Sequence, residues 1–384
     1  MAIFARGLNP PEMTIGRKFW QVHWFFILLL TIVAAFGMAM LYSAANGNME
    51  PWASAQMARF ALGIGILVIL AMIDIRHWLR WAYVFYALSL LLLAAVEVMG
   101  YVGMGAQRWI SLGFFNVQPS EVMKIALVVT LARYFHGSDP EDTGRIAHLF
   151  VPVILILLPT ALVMRQPDLG TALMLMMVGS ILMLLAGVRL WIFALAGVVV
   201  LAVIPVGWHF MHEYQRLRVI TFLNPESDPL GAGYHIIQSK IALGSGGLFG
   251  KGFMLGSQSH LSFLPEKQTD FIFTMLAEEF GMVGGLGLLA LYTLIVCYGF
   301  AMSLRARSQF ARLVGVGVTS TFFLYVFINI AMVMGLIPVV GVPLPLISYG
   351  GTAMLTLLFG FGILMSVHVH RDVIIGRRGI DDGW

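Results

Sequence analysis

One cysteine, Cys297, in 384 residues excludes an intramolecular disulfide and any cysteine-based zinc or iron–sulfur centre. Charge is also scarce: 11% of residues are acidic or basic, against about 25% in a soluble domain. A formal net charge of +4 gives no reason to expect a nucleic-acid partner. The opening residues, MAIFARGLNPPEMTIGRK, are too polar for the apolar region of a signal peptide, so they read as a short cytoplasmic tail. No low-complexity or coiled-coil segment is present. What abounds is hydrophobicity, at 59% of residues and a mean hydropathy of +0.89. Apolar runs of about 20 residues recur along the chain, the mark of an all-α integral membrane protein.

The runs predict ten spans, at roughly 19–42, 57–73, 81–100, 119–135, 147–165, 169–187, 189–209, 279–303, 310–332 and 349–370. Basic residues test the count. With both termini in the cytoplasm, Arg6, Arg17, Lys18, Arg76, Arg80, Arg133, Arg145, Arg189, Arg305, Arg307, Arg312, Arg371, Arg377 and Arg378 all fall inside. Arg59, Arg108 and Arg165 lie on short outer segments against that bias. A large outer loop is expected at 210–270, between the seventh and eighth spans, within a single membrane domain covering 1–384. The stretch 333–350 carries Pro338, Pro343 and Pro345, so it cannot be one regular helix. Broken backbone at membrane depth belongs in protein or beside a water-filled cavity, and this segment is expected on the outer side.

Several polar residues stand where hydrocarbon makes them costly. Asp270 ends the large loop at "LPEKQTDFIF" and is either a helix cap or a general base. Glu121 and Lys124 share a helix face, as a structural ion pair or with Lys124 on an anionic substrate. Asp168 in "RQPDLGTAL" is a cap or a site carboxylate. "QPSEVMKI" and "QPDLGTAL" echo one another: each is Gln-Pro, a polar residue, then an apolar helix starting at the outer face. Their positive dipole ends would favour a phosphate there. Glu97, Glu278 and Glu279 receive no role from the sequence. The Gly-rich "ALGSGGLFGKGF" (242–253) fails the Walker pattern, with Ser245 and Gly252 at two required positions, so no nucleotide is expected and a mobile loop with tight turns is.

"GAQRWI", "QPSEVMKI", "QPDLGTA", "GAGYHIIQSKIALGSGGLFGKG", "LPEKQTDFIF" and the run from Asn329 through Leu346-Ile347-Ser348-Tyr349-Gly350-Gly351-Thr352-Ala353 together resemble the SEDS (shape, elongation, division and sporulation) family over nearly the whole chain. With its short termini and Lys240 in "HIIQSKIALGSGG", the chain is most similar to the elongation (RodA-like) branch rather than the division (FtsW-like) one. The resemblance implies a peptidoglycan glycosyltransferase. It would polymerise lipid II at the outer face of the bacterial cytoplasmic (inner) membrane, alongside a class B penicillin-binding protein and other elongation proteins. The family's essential aspartate matches Asp270. Substrate contacts are expected at Arg59, Arg108, Gln118, Glu121, Lys124, Asp168, Lys240, Ser348 and Tyr349. A divalent metal, Mg or Mn, held by Glu121 or Asp168 would be an alternative to these cations. A lipid II flippase and a noncatalytic scaffold are the rival readings.

Overall fold

The computed structural model describes residues 13–103, 106–111, 116–138, 145–210, 213–224, 232–257 and 266–376. Thirteen helices occur among them. They are α1 (Ile15–Gln21), α2 (Trp24–Ala44), α3 (Ala53–Met72), α4 (Ile75–Met99), α5 (Pro119–Gly137), α6 (Ile146–Arg165) and α7 (Leu169–Leu185). Then come α8 (Leu190–Phe210), α9 (Glu213–Leu223), α10 (Ala232–Ser245), α11 (Ile272–Leu304), α12 (Gln309–Val333) and α13 (Gly351–Val369).

Each of the ten expected spans falls on one helix, α2 to α8 and α11 to α13. Seven, namely α2, α3, α4, α6, α11, α12 and α13, are long and apolar enough to cross a membrane. Helices α7 and α8 are apolar but shorter in that measure. Helix α5 has the length, yet Glu121, Lys124 and Arg133 interrupt its apolar run. The chain is thus a multi-pass membrane protein of the all-α class. Parts of the expected 210–270 loop lie outside the described residues; the rest contributes α9 and α10.

Boundaries differ from the expected ones where local chemistry overrides hydropathy. The first span begins at Trp24, because the chain turns at Val22–His23 and leaves α1 as a separate helix with Ile15 and Trp20 exposed. The eighth begins seven residues early, at Ile272, so that Glu278 and Glu279 are fully buried inside it. A small antiparallel sheet was not expected. It joins β1 (Tyr101–Gly103), β2 (Ala106–Ser111) and β3 (Asn116–Val117) in that order.

Helix α6 keeps two prolines in its interior, and each deprives the carbonyl four residues earlier of its donor. Tyrosines from neighbouring helices supply what is missing. Tyr134 Oη donates to His148 O at 2.7 Å, opposite Pro152, and Tyr86 Oη donates to Leu155 O at 2.9 Å, opposite Pro159. A span without water must satisfy its backbone in this way.

The Gly-rich stretch is packed rather than loose. Helix α11 breaks at Gly281, at φ +67, and the segment after α10 docks on the break. Met282 N and Val283 N donate to Gly247 O and Leu248 O, while Lys251 N and Gly252 N donate to Glu278 O and Glu279 O. A Cβ at Gly250 would lie 2.1 Å from Glu279 O, and one at Gly281 2.3 Å from Gly250 N. The closeness of two backbones is what requires glycine here. Lys251 Nζ then pairs with Glu278 at 2.7 Å and Ser43 Oγ reaches Glu279.

Candidate active site

Five helix starts gather at one end of the bundle: those of α3, α5, α7, α11 and α13. Between them lies a cavity of about 1240 Å³. Arg59, Arg108, Gln118, Glu121, Lys124, Asp168, Asp270 and Tyr349 all line it. Positive dipole ends and three basic side chains thus face the same space. Its other wall is apolar, built from Leu62 and Ile66 of α3, Phe85 of α4, and Leu355 and Phe359 of α13.

Asp270 is held through its backbone. Three consecutive carbonyls before α11 each receive a donor from elsewhere. Tyr349 N donates to Gln268 O at 2.8 Å, Ser348 Oγ to Thr269 O at 2.5 Å, and Asn329 Nδ2 to Asp270 O at 3.0 Å. Asn329 Nδ2 also donates to Val342 O at 2.7 Å, so one amide of α12 joins the Asp270 turn to the broken segment. That segment, 334–350, is non-helical throughout. Its Gly341, at φ +71, brings its backbone beside the carboxylate; a Cβ there would sit 3.5 Å from Asp270 Oδ2. The N-cap position of α11 falls on Phe271, one residue beyond Asp270. The half-buried carboxylate therefore lines the cavity from a braced turn. Close by, partial burial pulls the Lys267 ammonium below its usual range.

Deeper in, Lys124 Nζ donates to Glu121 Oε1 at 2.7 Å and to Tyr325 Oη, and Tyr325 Oη donates to Glu121 Oε2. Asp168 caps α7, accepting from Thr171 N at 3.1 Å and Thr171 Oγ1 at 2.9 Å, and it also accepts from Gln118 Nε2 at 3.2 Å. The two Gln-Pro helix starts are thus linked directly. Arg108, on β2, donates to Gln166 O and Pro167 O and lies 4.0 Å from Asp168. Arg59 stacks over the Tyr349 ring at 4.9 Å.

Two expected contacts lie elsewhere. Ser348 is buried and serves the turn, its Oγ accepting from Leu344 N and its carbonyl from Gln56 Nε2. Exposed Lys240 packs against Gly335, at the far end of the broken segment, and is absent from the cavity wall. Arg165 pairs loosely with Glu97, 4.0 Å away. Tyr325, Thr171, Glu266 and Thr269 line the cavity without having been singled out. For Tyr325 a signal existed: it precedes Asn329 by four residues, giving an apolar helix one polar face.

The two carboxylates named as metal candidates are surrounded by N–H and O–H donors and by cations. Among the described residues no group of three or more His, Cys, Asp or Glu converges. This donor set suits an anionic guest better than a divalent cation.

A helical membrane protein with a half-buried carboxylate and three cations lining one cavity narrows the comparison. The FtsW, RodA and SpoVE family of cell cycle proteins matches residues 21–373, and the chain belongs to that family. It is 45% identical over 376 residues to the peptidoglycan glycosyltransferase MrdB of Escherichia coli strain K12, covering 95% of this chain and 98% of that one. A solved peptidoglycan synthase complex, described as coordinating polymerization and crosslinking, contains a chain that superposes with a TM-score of 0.76. The identity is 33%, and 91% of this chain and 98% of that one are covered. The rod shape determining protein RodA of Thermus thermophilus superposes at 0.69, with 29% identity over 91% of this chain and 97% of that one.

Proposed function

We propose that the chain is the peptidoglycan glycosyltransferase of cell elongation, polymerising lipid II at the outer face of the cytoplasmic membrane. The observation that carries this reading is the shared cavity in which Asp270 meets Arg59, Arg108 and Lys124 beside an apolar wall. Lipid II joins a disaccharide to a polyprenyl chain through a diphosphate. Each part finds a matching surface: sugars by Asp270, diphosphate by the cations and helix starts, and the first prenyl units along Leu62, Ile66 and Phe359.

Asp270 takes the proton of the acceptor sugar's hydroxyl as that oxygen attacks the donor's anomeric carbon. The new glycosidic bond forms from the face opposite the breaking carbon–oxygen bond, so the centre inverts. The diphosphate leaves with the electron pair and needs no proton from an acid, because the neighbouring cations meet its developing charge. The Gln166 and Pro167 carbonyls hold Arg108 beside Asp168. The placement of basic residues supports the reading in which the cavity end faces outside and both termini lie in the cytoplasm. Strands made there suit a class B penicillin-binding protein as crosslinking partner.

The test is polymerisation of purified lipid II by the purified full chain. Asp270→Asn should lower the rate by about 10²–10⁴-fold while the protein still unfolds at its native temperature. Wild-type polymerisation by a folded D270N variant would remove Asp270 from the chemistry. Lipid II crossing vesicles without polymer would point to a flippase.

A further inference from the structure

Tyr325 has no part in the glycosyl transfer itself, yet it occupies the centre of the deepest charged group in the cavity. Its oxygen accepts from Lys124 Nζ, and its O–H donates to Glu121 Oε2. Lys124 closes the ring by its 2.7 Å bond to Glu121 Oε1, and its ammonium lies 4.3 Å from the centre of the Tyr325 ring. All three residues are buried, Lys124 and Tyr325 at 2% exposure and Glu121 at 3%, and all three line the cavity.

The ring creates a difficulty for binding. Lys124 directs its three donors to Glu121, Tyr325 Oη and, weakly at 3.9 Å, Met174 Sδ, so an anionic substrate that draws the ammonium toward itself weakens its bond to Glu121. A buried carboxylate deserted by its lysine is strongly unfavourable, and that cost would oppose substrate binding. Tyr325 meets the difficulty from the other helix. Its O–H stays on Glu121 whichever way Lys124 points, and a hydrogen bond to an ionised acceptor is about twice as strong as a neutral one.

We propose that Tyr325 is a positioning residue: it holds Glu121 in place while Lys124 turns from Glu121 to the diphosphate of the lipid-linked substrate. No bond is made or broken in this step, and no proton changes owner. The inference rests on the glycosyltransferase reading above and adds a residue to its substrate site.

Tyr325→Phe tests it, since phenylalanine keeps the ring and its contact with Lys124 and removes only the O–H. With the full chain and lipid II, KM should rise by up to about tenfold, because the O–H is one of two partners of Glu121 in the free protein and its last partner once Lys124 has turned away, where the bond is worth more. The kcat should stay within about twofold, because the lost contact serves binding and not the chemical step. Inhibition by inorganic diphosphate should weaken in step with KM. In the Glu121→Gln background the buried charge is gone, so E121Q/Y325F should show the KM of E121Q alone. An unmoved KM in Y325F, a fall in kcat at constant KM, or a further tenfold loss in the double variant overturns the proposal. If Y325F alone is too unstable to assay, comparing E121Q with E121Q/Y325F decides the matter by the same criterion. Wild-type polymer with an unmoved Y325F defeats this inference only; no polymer from the wild-type chain with its transpeptidase partner defeats the reading beneath it.

Discussion

The cavity holds two cation–carboxylate pairs of opposite construction. Glu121 and Lys124 are 2.7 Å apart, both side chains are at most 5% exposed, and the carboxylate is met by Lys124 and Tyr325. Arg108 and Asp168 are 4.0 Å apart, with Arg108 a quarter exposed, and each has separate commitments. Arg108 directs donors to the Gln166 and Pro167 carbonyls, and Asp168 is met by Thr171 and Gln118. In the first pair each member is the other's only opposite charge, with Tyr325 the one further polar group shared between them. In the second, either can be lost without stranding its partner. Burial alone does not set this difference, since Asp168 is as buried as Glu121; the number of independent donors does.

Removing one member at a time breaks the comparison open. Lys124→Ala leaves Glu121 charged with the Tyr325 O–H but no cation, and should lower unfolding stability in detergent by about 3–5 kcal/mol. Replacing both, as Glu121→Gln with Lys124→Met, should recover most of that loss. If the double variant is no more stable than K124A, the mutual dependence is wrong. Asp168→Ala should cost about 1–2 kcal/mol, mainly as the lost cap of α7, with Asp168→Asn recovering most of it in the same unfolding assay. Arg108→Ala should change stability by about 1 kcal/mol or less, because the cavity's water can serve the freed carbonyls, and its effect should appear as a raised KM for lipid II. The smallest change belongs to Arg165→Ala. Its side chain is 77% exposed and its partner Glu97 is 4.0 Å away, so stability should move by no more than about 0.5–1 kcal/mol and KM should stay put.

The same contrast separates what the sequence reveals from what it conceals. Hydropathy located the seven long apolar helices and the two shorter ones, because that signal is carried within each segment, while Lys124 weakens it in α5. The two Gln-Pro starts stood out by composition, and so did Asp270 by its place at the edge of an apolar run. Closure is a different matter. Nothing local to Ser348 distinguishes a substrate contact from a brace, and only its bonds to Leu344 and Thr269 show the second. Lys240 belongs to one of the family blocks but sits at Gly335, and no described residue of that block lines the cavity. Tyr325 and Asn329 mark one polar face of an apolar helix, but each acquires its importance from partners far away in the chain, Glu121 and Asp270. The sheet of 101–117 escaped notice because its strands, of two to six residues, are too short for a period-two pattern to emerge.

The docked glycine segment bears on how the chain tolerates changes of length. Gly247, Leu248, Lys251 and Gly252 pair in fixed order with the residues on either side of the Gly281 break, and the backbones approach too closely for a side chain at Gly250 or Gly281. A surface loop ordinarily absorbs an inserted residue at little cost. Here a single residue added between Leu248 and Lys251 would carry one set of pairings out of register with the other. It would also draw Lys251 off Glu278, in the helix that begins just after Asp270.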